Sequence, residues 1–375
     1  MAEGLTIEPD LGFIDRLMKA GGSELKRCFQ CGTCASVCSL ADSSRSFPRQ
    51  QMIKAQWGLK DEVLADPAIW LCHDCSDCTA NCPRGAKPSA VMGALRMEAI
   101  KRYAFPRSAA KMVTSVAYLP IVLLLPALLF GAVAWRELGH APARPYVFDE
   151  LFPQSFLEPL FYAVAAWVVT AFAVGIARLV RDLRASGVVG RIMPGLLPSF
   201  KEIAAHERFK KCTEERKRYW GHFLTLFGFL GLAIVGTAVG AGTMAGVMHT
   251  PLPLLSVLKV FANVCAVVIL AGTIILLLPT TPSQGQRTKK TYFDNFFLYT
   301  LAGVALTGVL SELFRLAQNA PLMYSVYFVH LILIFTLLFY SPYSKFAHFV
   351  YRTVVMAATQ ERKSRAGLQV AHAEY

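Results

Sequence analysis

The sequence predicts an all-α protein in two parts, a helical N-terminal domain followed by a six-helix transmembrane bundle. Three observations predict it: eight cysteines fall in two runs of equal spacing, six long apolar segments follow them, and basic residues concentrate in alternate connections between those segments. Hydrophobic residues make up 54% of the 375 residues, and the mean hydropathy of +0.43 is high for a soluble protein.

The N-terminal domain is marked by its cysteines. Each run reads C-x2-C-x2-C-x3-C, the spacing that holds [4Fe–4S] clusters; Pro83 follows the last cysteine as in bacterial ferredoxins, whereas Ser39 follows the first run. In two-cluster ferredoxins the fourth cysteine of a run ligates the other cluster. We therefore expect two clusters with exchanged fourth ligands: Cys28, Cys31, Cys34 and Cys82 for the first, and Cys72, Cys75, Cys78 and Cys38 for the second.

Two other interpretations of the cysteines fit less well. Structural zinc sites usually offer two cysteine pairs rather than two four-cysteine runs. Disulfides require an oxidising compartment, and the opening MAEGLTIEPDLGF has neither the basic nor the apolar region of an export signal. The sequence therefore predicts thiols in a reducing compartment.

The segments around the cysteine runs are helical in character. The 33 residues between the runs include a stretch that begins at Pro48, a residue suited to a first helical position, and Pro88 opens another helical stretch that continues through Tyr103. A compact β-rich ferredoxin has little room for such an insert. We therefore expect a helical ferredoxin domain over residues 1–107.

The membrane part is predicted from apolar segments long enough to cross a bilayer. A buried core helix would explain one such segment, but not six in succession. The predicted spans are about 111–135, 158–178, 220–244, 256–278, 293–316 and 322–341, in a domain over 108–356 that precedes a cytoplasmic tail over 357–375.

The distribution of charge predicts the orientation of the spans. Of the 38 basic and 25 acidic residues, 24 and 13 lie after residue 108, and ten of these basic residues lie in the connection 179–219. The connections 245–255 and 317–321 carry none. By the positive-inside rule we expect both termini to be cytoplasmic, in a multi-pass protein of the inner (cytoplasmic) membrane. The basic balance is then a topology signal with anionic lipid as its partner, so nucleic acid is not needed to explain it.

Three histidines predict haem b. His330 and His348 are 18 residues apart, which on one continuous helix is five turns, or about 27 Å along the axis, and places both on one face. Pro342 lies between them and is where such a helix would kink. His222 begins the third span at the depth of His348, so the sequence predicts one haem b between His222 and His348, the alternative being an interfacial histidine without a ligand.

A second haem b at His330 needs an axial partner. No histidine stands at the matching depth of another span, and we expect His249, rather than His140, to fold back from the connection after the third span. Met244 and Met248 are the fallback ligands. His206 is expected to be an ordinary solvent-facing residue.

The cysteine runs CFQCGTCASVC and CHDCSDCTANCP resemble those of the C subunit of heterodisulfide reductase. The membrane half is similar to the cytochrome b subunits of respiratory nitrate reductases and to the E subunit of heterodisulfide reductase. The two halves in one chain resemble the C subunits of quinone-interacting membrane-bound oxidoreductase complexes. In the nitrate reductase pattern a second histidine follows ten residues along the earlier helix, where this chain has Leu232.

The resemblance implies a cytochrome b-like bundle that exchanges electrons between menaquinone in the membrane and cytoplasmic partners. These partners would be flavin-containing proteins that resemble the A subunit of heterodisulfide reductase, with a link to adenylylsulfate reductase in dissimilatory sulfur metabolism. The chain has no G-x-G-x-x-G after a strand pattern, so a flavin would lie on a partner. A heterodisulfide reductase-type membrane component for another thiol, disulfide or flavin partner remains an alternative.

Ionisable residues near the predicted outer face are candidates for a quinone or proton path. Lys259, Glu312 and Arg315 lie there, although a simple ion pair between Glu312 and Arg315 explains them equally well. A transporter would need polar groups within several spans, and most of the spans are nearly uncharged. A non-redox anchor with sensor clusters would explain the cysteines and predicts no haem.

Overall fold

The computed structural model describes residues 8–42, 45–138, 145–187, 191–206, 216–278 and 290–373. Within these ranges every regular element is a helix, and the only β pairing is one isolated bridge between Asp42 and Arg45. The predicted all-α class is therefore confirmed for the described part of the chain.

The N-terminal domain contains short helices around one long helix. A π-helical turn, Met18–Gly22, follows the first helix and contains Gly21 at φ 111°. The α-helices are α1 (Leu11–Leu17), α2 (Thr33–Ser36), α3 (Arg49–Gln56), α4 (Lys60–Leu64), α5 (Ala68–Leu71), α6 (Asp77–Ala80) and α7 (Pro88–Tyr103).

Helix α7 is the centre of this domain. Pro88 occupies its first turn, where the missing N–H leaves no hydrogen bond unmade. Its buried residues Val91, Met92 and Leu95 pack into the core formed with α1 and α3 to α5. At its end the hydroxyl of Tyr103 donates to the carbonyl of Leu64 at 3.1 Å, which joins α7 to α4 across this core.

The second part contains six helices that are long and apolar enough to span a membrane, as the sequence predicted. Those spans are Val116–Glu137, Gln154–Ala185, Lys217–Met244, Val257–Leu277, Tyr292–Leu316 and Ala320–Phe339. The helices of this part are α8 (Arg107–Thr114), α9 (Leu119–Glu137), α10 (Gln154–Ala185), α11 (Ile192–Ala204), α12 (Arg216–Met244), α13 (Val257–Leu277), α14 (Tyr292–Leu316), α15 (Ala320–Phe339) and α16 (Ala347–Ala373).

The two parts share one hydrophobic core. The last turns of α10 extend beyond the predicted end of that span at 178, and the buried residues Leu179 and Leu183 join the core of the N-terminal domain. Beside them Nε of Arg102 donates to Oδ2 of Asp182 at 2.8 Å. Helix α16 joins the same core through Tyr351, whose ring centroid lies 5.2 Å from that of Trp70.

The prediction that one continuous helix carries both His330 and His348 is wrong. Helix α15 ends at Phe339, a 3-10 turn covers Ser341–Tyr343, and α16 begins only at Ala347. Pro342 lies within this turn and has no N–H to continue a helix. The two histidines are therefore presented by different helices, and the five-turn spacing does not place them on one face.

Helix α16 then continues without a break past 357, where the sequence predicted a tail. Ala357 is buried, and the close approach of Gly195 in α11 explains why: a Cβ at Gly195 would overlap the backbone of Ala357. Helices α11 and α16 thus pack with almost no side-chain space between them.

Candidate functional site

The two cysteine loops repeat one backbone conformation. Gln30 and Asp74, each two residues after the first cysteine of its run, have φ values of 60° and 59°. Gly32 and Ser76, two residues later, have φ values of 87° and 67° and cap the one-turn helices α2 and α6. Non-glycine residues seldom adopt this region, so the recurrence at Gln30, Asp74 and Ser76 reflects a shape that the loops require.

The repeated turns direct backbone N–H groups at sulfur. The amide of Gln30 lies 3.4 Å from Sγ of Cys28, and the amide of Asp74 lies 3.4 Å from Sγ of Cys72. The amide of Ala86 lies 3.3 Å from Sγ of Cys82. Hydrogen bonds to sulfur are a principal means by which a protein tunes an iron–sulfur cluster.

The first group of thiols includes a cysteine from the second run. Burial, and after it the neighbouring thiols of Cys28, Cys82 and Cys31, raises the pKa of Cys34 to about 11. Burial likewise raises the pKa of Cys28, with Cys82 and Cys31 as its thiol neighbours. Cys82 therefore lies near Cys28, Cys31 and Cys34.

The second group mirrors the first. Burial raises the pKa of Cys38, and its thiol neighbour is Cys72. Burial also raises the pKa of Cys78 well above its ordinary value, and after it the neighbouring thiols of Cys72, Cys34 and Cys38 add to the effect. Within the described residues, no three or more His, Cys, Asp or Glu side chains converge on the position of one metal ion.

A cavity of about 820 Å³ lies between the second cysteine loop and the membrane helices. This volume is within the usual range for ligand pockets, about 300–1,000 Å³. Its wall contains Cys72 and Cys75 on the domain side and His206, His222 and His348 on the other. We call the three histidines and this cavity the proximal site, because they adjoin the N-terminal domain.

The proximal histidines come from three elements. His222 is in the second turn of α12 and His348 is in the first turn of α16. Nδ1 of His348 is hydrogen-bonded to the carbonyl of Lys345, and burial lowers the pKa of His348 to about 4. The structure thus places His222 and His348 on the wall of one cavity, although the continuous-helix argument for His348 was wrong.

The prediction that His206 faces solvent is wrong. His206 follows the end of α11, is 3% exposed, and places its Nε2 atom 3.1 Å from Nδ1 of His222. Burial lowers the pKa of His206. Nothing in the sequence pattern brings residue 206 to residue 222, because the approach depends on tertiary packing and not on a local pattern.

Cationic side chains surround the proximal site. Nη2 of Arg218 donates to Oδ2 of Asp74 at 2.8 Å, and Nη2 of Arg96 lies 3.2 Å from Oδ1 of the same carboxylate. Burial opposes ionisation of Asp74, but the two guanidinium groups hold the pKa of Asp74 well below its ordinary value. Nη1 of Arg352 donates to the carbonyl of Cys72 at 3.3 Å, which links α16 directly to the cysteine loop.

His330 lies in a second polar position, deeper in the bundle. Its Nδ1 is 2.9 Å from Oγ1 of Thr307, whose hydroxyl donates to the carbonyl of Gly303 at 2.6 Å. A Cβ at Gly308 would lie 3.0 Å from Cε1 of His330, and the Tyr327 ring stacks at 6.2 Å. We call His330, Thr307, Gly308 and Tyr327 the distal site.

The structure does not bring His249 to His330. His249 is exposed in the connection between α12 and α13, and its side chain takes no part in the contacts of His330 that the described residues make. Met244, a fallback ligand, is 71% exposed, and Met248 packs against Gly242. His140 lies outside the described residues.

The ionisable residues near the far end of the bundle form one network. Nζ of Lys259 donates to Oε2 of Glu312 at 2.9 Å, and Nη2 of Arg315 donates to Oε1 of Glu312 at 2.9 Å. Glu312 therefore joins α13 to the end of α14 through two cations, beyond the i,i+3 pair considered from the sequence.

Comparison with known proteins identifies the kind of domain that carries the cysteines. A family model described as "4Fe-4S dicluster domain" matches residues 24–86. The chain is 42% identical over 92 residues to the C subunit of the H(2):CoB-CoM heterodisulfide,ferredoxin reductase of Methanothermobacter thermautotrophicus, covering 24% of this chain and 50% of that protein. It is 38% identical over 105 residues to a protein of Archaeoglobus profundus described as similar to the C subunit of heterodisulfide reductase, covering 28% and 56%.

The residues matched by the family model end before the first candidate span, and the chain spans about half the length of these two relatives. One similarity extends over both parts: "Citrate utilization protein B" of Escherichia coli is 24% identical over 373 residues, covering 91% of this chain and 92% of that protein. No solved structure matches.

Together these observations define the coarse architecture. The N-terminal region contains a 4Fe–4S dicluster domain that resembles the C subunit of heterodisulfide reductase, and it is joined to a multi-pass membrane part of six apolar helices. The first of these relatives is named as a subunit of a heterodisulfide,ferredoxin reductase, and the second as similar to a heterodisulfide reductase subunit.

Proposed function

We propose that this chain is the membrane electron-transfer component of an oxidoreductase complex, which passes electrons between menaquinone and cytoplasmic flavin and iron–sulfur partners. The observation that carries the proposal is the proximal cavity, since one space touches both the second cysteine loop and two histidines of the membrane helices. Bound iron–sulfur clusters and haem b would supply one-electron carriers on the two sides of this space.

The proposed cluster ligands are those that the cysteine spacing predicts. Cys82 would complete the first cluster and Cys38 the second, and the proximity of Cys82 to Cys28 and of Cys38 to Cys72 supports the exchange. Thiols grouped in this way fit iron binding, because a bound cation stabilises neighbouring thiolates.

The residues of the proximal site fit haem b. His222 and His348 would supply the axial nitrogens, and the cations Arg218, Arg96 and Lys345 on the cavity wall would pair with the haem propionates. The cavity is also bordered by Phe229 and Phe346, apolar surfaces against which a porphyrin can pack. The second haem is proposed at His330.

The proposed membrane orientation follows from the basic connections, and the proposed partners follow from the resemblance to heterodisulfide reductase. The basic connections favour both termini on the cytoplasmic side of the inner membrane, where the N-terminal domain would meet flavin proteins similar to the A subunit of heterodisulfide reductase. Adenylylsulfate reductase is the proposed ultimate partner. The quinone would bind within the membrane part.

The wild-type protein, purified anaerobically, tests this proposal. We expect about eight iron atoms in clusters with matching sulfide, together with one or two haem b groups that menaquinol analogues reduce. A Cys38→Ala variant should lose the electron paramagnetic resonance signal of one cluster and keep the other. Four or fewer non-haem iron atoms, or absence of a b-type reduced spectrum, would refute the cluster or the haem assignment respectively.

A second candidate function is favoured by the similarity over nearly the whole chain to a citrate utilization protein. In that case the complex would serve the use of a small carboxylic acid rather than sulfur metabolism. Affinity purification of the tagged chain from its native membrane distinguishes the two, because the soluble partner would be a different oxidoreductase in each.

A further inference from the structure

We infer that His206 is a positioning residue for His222: its imidazole accepts a hydrogen bond that fixes the tautomer and ring orientation of His222. The inference rests on the proposed function, in which His222 binds haem iron. It assigns a role to a buried histidine that the cysteine spacing and the axial-ligand pattern leave unused.

The direction of the hydrogen bonds follows from the backbone. Nδ1 of His206 lies 3.1 Å from the carbonyl oxygen of Ala204, and a carbonyl can only accept. Nδ1 of a neutral His206 therefore carries its proton, and Nε2 is left as an acceptor. That Nε2 atom lies 3.1 Å from Nδ1 of His222, so Nδ1 of His222 is the donor and its Nε2 carries the lone pair.

His348 has the same tautomer by the same reasoning. Its Nδ1 atom donates to the carbonyl of Lys345, which leaves Nε2 as the nitrogen able to bind a metal. The two proposed axial ligands thus present equivalent nitrogens, one fixed by a carbonyl and the other by an imidazole.

The geometry distinguishes positioning from ligation. Two histidines that bind opposite sides of one metal ion place their nitrogens about 4 Å apart, because each metal–nitrogen bond is about 2.0 Å long. The 3.1 Å between His206 and His222 is a hydrogen-bond length instead. His206 therefore acts on the iron through His222.

The backbone indicates that the imidazole is required at this position. His206 has φ 49°, in the left-handed region that commonly ends a helix and is usually occupied by glycine. A side chain with a Cβ is sterically disfavoured there. Glycine would avoid this strain, so a histidine at this position, with its ring buried, indicates that the imidazole itself has a role.

A hydrogen-bond acceptor at Nδ1 makes the other nitrogen of a ligand histidine more basic. A more basic ligand favours the oxidised metal, so loss of this acceptor should raise the midpoint potential of the proximal haem. It should also weaken haem binding, since partners of this kind typically contribute about 10–100-fold to metal affinity.

The experiment compares His206→Gly and His206→Asn in the full-length, haem-loaded protein. Glycine suits the left-handed backbone but removes the acceptor, and we expect haem transfer to apomyoglobin to become roughly tenfold faster and the potential to rise. Asparagine tolerates the same backbone and offers an amide oxygen, so both properties should return toward the wild-type values.

Gln318→Gly is the matched control, because Gln318 also has a left-handed backbone, φ 51°, but lies at the other end of the bundle. It should change neither property. Wild-type rates and potentials in His206→Gly would overturn the inference while leaving haem binding intact. Loss of the proximal haem from both variants would make His206 a ligand and also overturn it. Wild-type protein without haem would refute the proposed function itself.

Discussion

The proximal and distal sites differ in how their histidines are held. The proximal site gathers three histidines around an 820 Å³ cavity bordered by cations and by the cysteine loop. The distal site holds His330 between Thr307, Gly308 and Tyr327, with no second histidine among its contacts in the described part of the chain. A histidine within a membrane helix is therefore a weaker indication of haem than a histidine that faces a ligand-sized space.

The two sites nonetheless share one feature. The Thr307 hydroxyl lies closer to the Gly303 carbonyl, at 2.6 Å, than to Nδ1 of His330, at 2.9 Å, and when it donates to that carbonyl, Nδ1 of His330 donates to Thr307. His222, His330 and His348 thus all have Nε2 as the nitrogen with the lone pair. The sites differ in the space around the ligand nitrogen, not in the tautomer.

The largest expected effect separates the two sites directly. His348→Ala should remove the proximal haem and stop electron passage between the clusters and quinone, while both clusters keep their signals. His330→Ala should remove only the distal haem and leave the proximal one reducible from the cluster side. Haem quantification and redox titration of both variants measure this, and full haem content in His348→Ala would contradict the axial assignment.

Gly195→Ala tests whether the proximal site depends on the close packing of α11 on α16. Its Cβ would overlap the Ala357 backbone, which overpacks the contact and costs about 1–3 kcal/mol of unfolding free energy. Because α16 carries His348 and His206 follows α11, the proximal spectrum should change as well.

Thermal unfolding in detergent measures that cost, and the distal haem spectrum serves as the internal reference. Gly131→Ala is the matched control, since nothing lies within 4 Å of a Cβ added there. Equal destabilisation by both substitutions would show that the α11–α16 contact has no special role.

Thr307→Val should perturb only the distal site. Valine has nearly the shape of threonine but cannot accept from Nδ1 of His330, so the orientation of that ring is no longer fixed. We expect roughly tenfold weaker retention of the distal haem, measured by its transfer to apomyoglobin. Thr300→Val, on the same helix, removes a hydroxyl that donates to the Phe296 carbonyl and should have no such effect.

Lys259→Gln should have the smallest effect, because Glu312 keeps its second partner, Arg315. We expect a loss of about 0–1 kcal/mol in unfolding free energy, within the range of partly exposed ion pairs, and an unchanged proximal haem. A loss of about 3 kcal/mol or more would instead show that the network behaves as a buried ion pair.

Local patterns made the coarse architecture predictable from the sequence. The cysteine spacing is a short-range pattern within each run, and the dicluster match at residues 24–86 confirms the kind of domain that it predicted. The six spans depend on composition along one segment at a time, and all six were found. Neither inference requires knowledge of which segments meet.

The tertiary details were harder, for physical reasons. His206, just after α11, reaches His222 of α12 only through tertiary packing, and no periodicity records that approach. The break between α15 and α16 had a local signal, Pro342, which outweighed the continuity implied by the spacing of His330 and His348. His249 was preferred because it follows the span that carries His222 and could fold back from the next connection, but the structure leaves it exposed.

The shared core also sets an order of assembly. A ribosome makes the cysteine-bearing domain before α16, yet Trp70 and Tyr103 of the earlier domain pack on Tyr351 of the later helix, with ring centroids 5.2 Å and 5.8 Å away. The domain made first therefore waits, with part of its interior uncovered, until all six membrane helices have been synthesised. During that interval the face that becomes the cavity wall stays open to whatever delivers the cofactors.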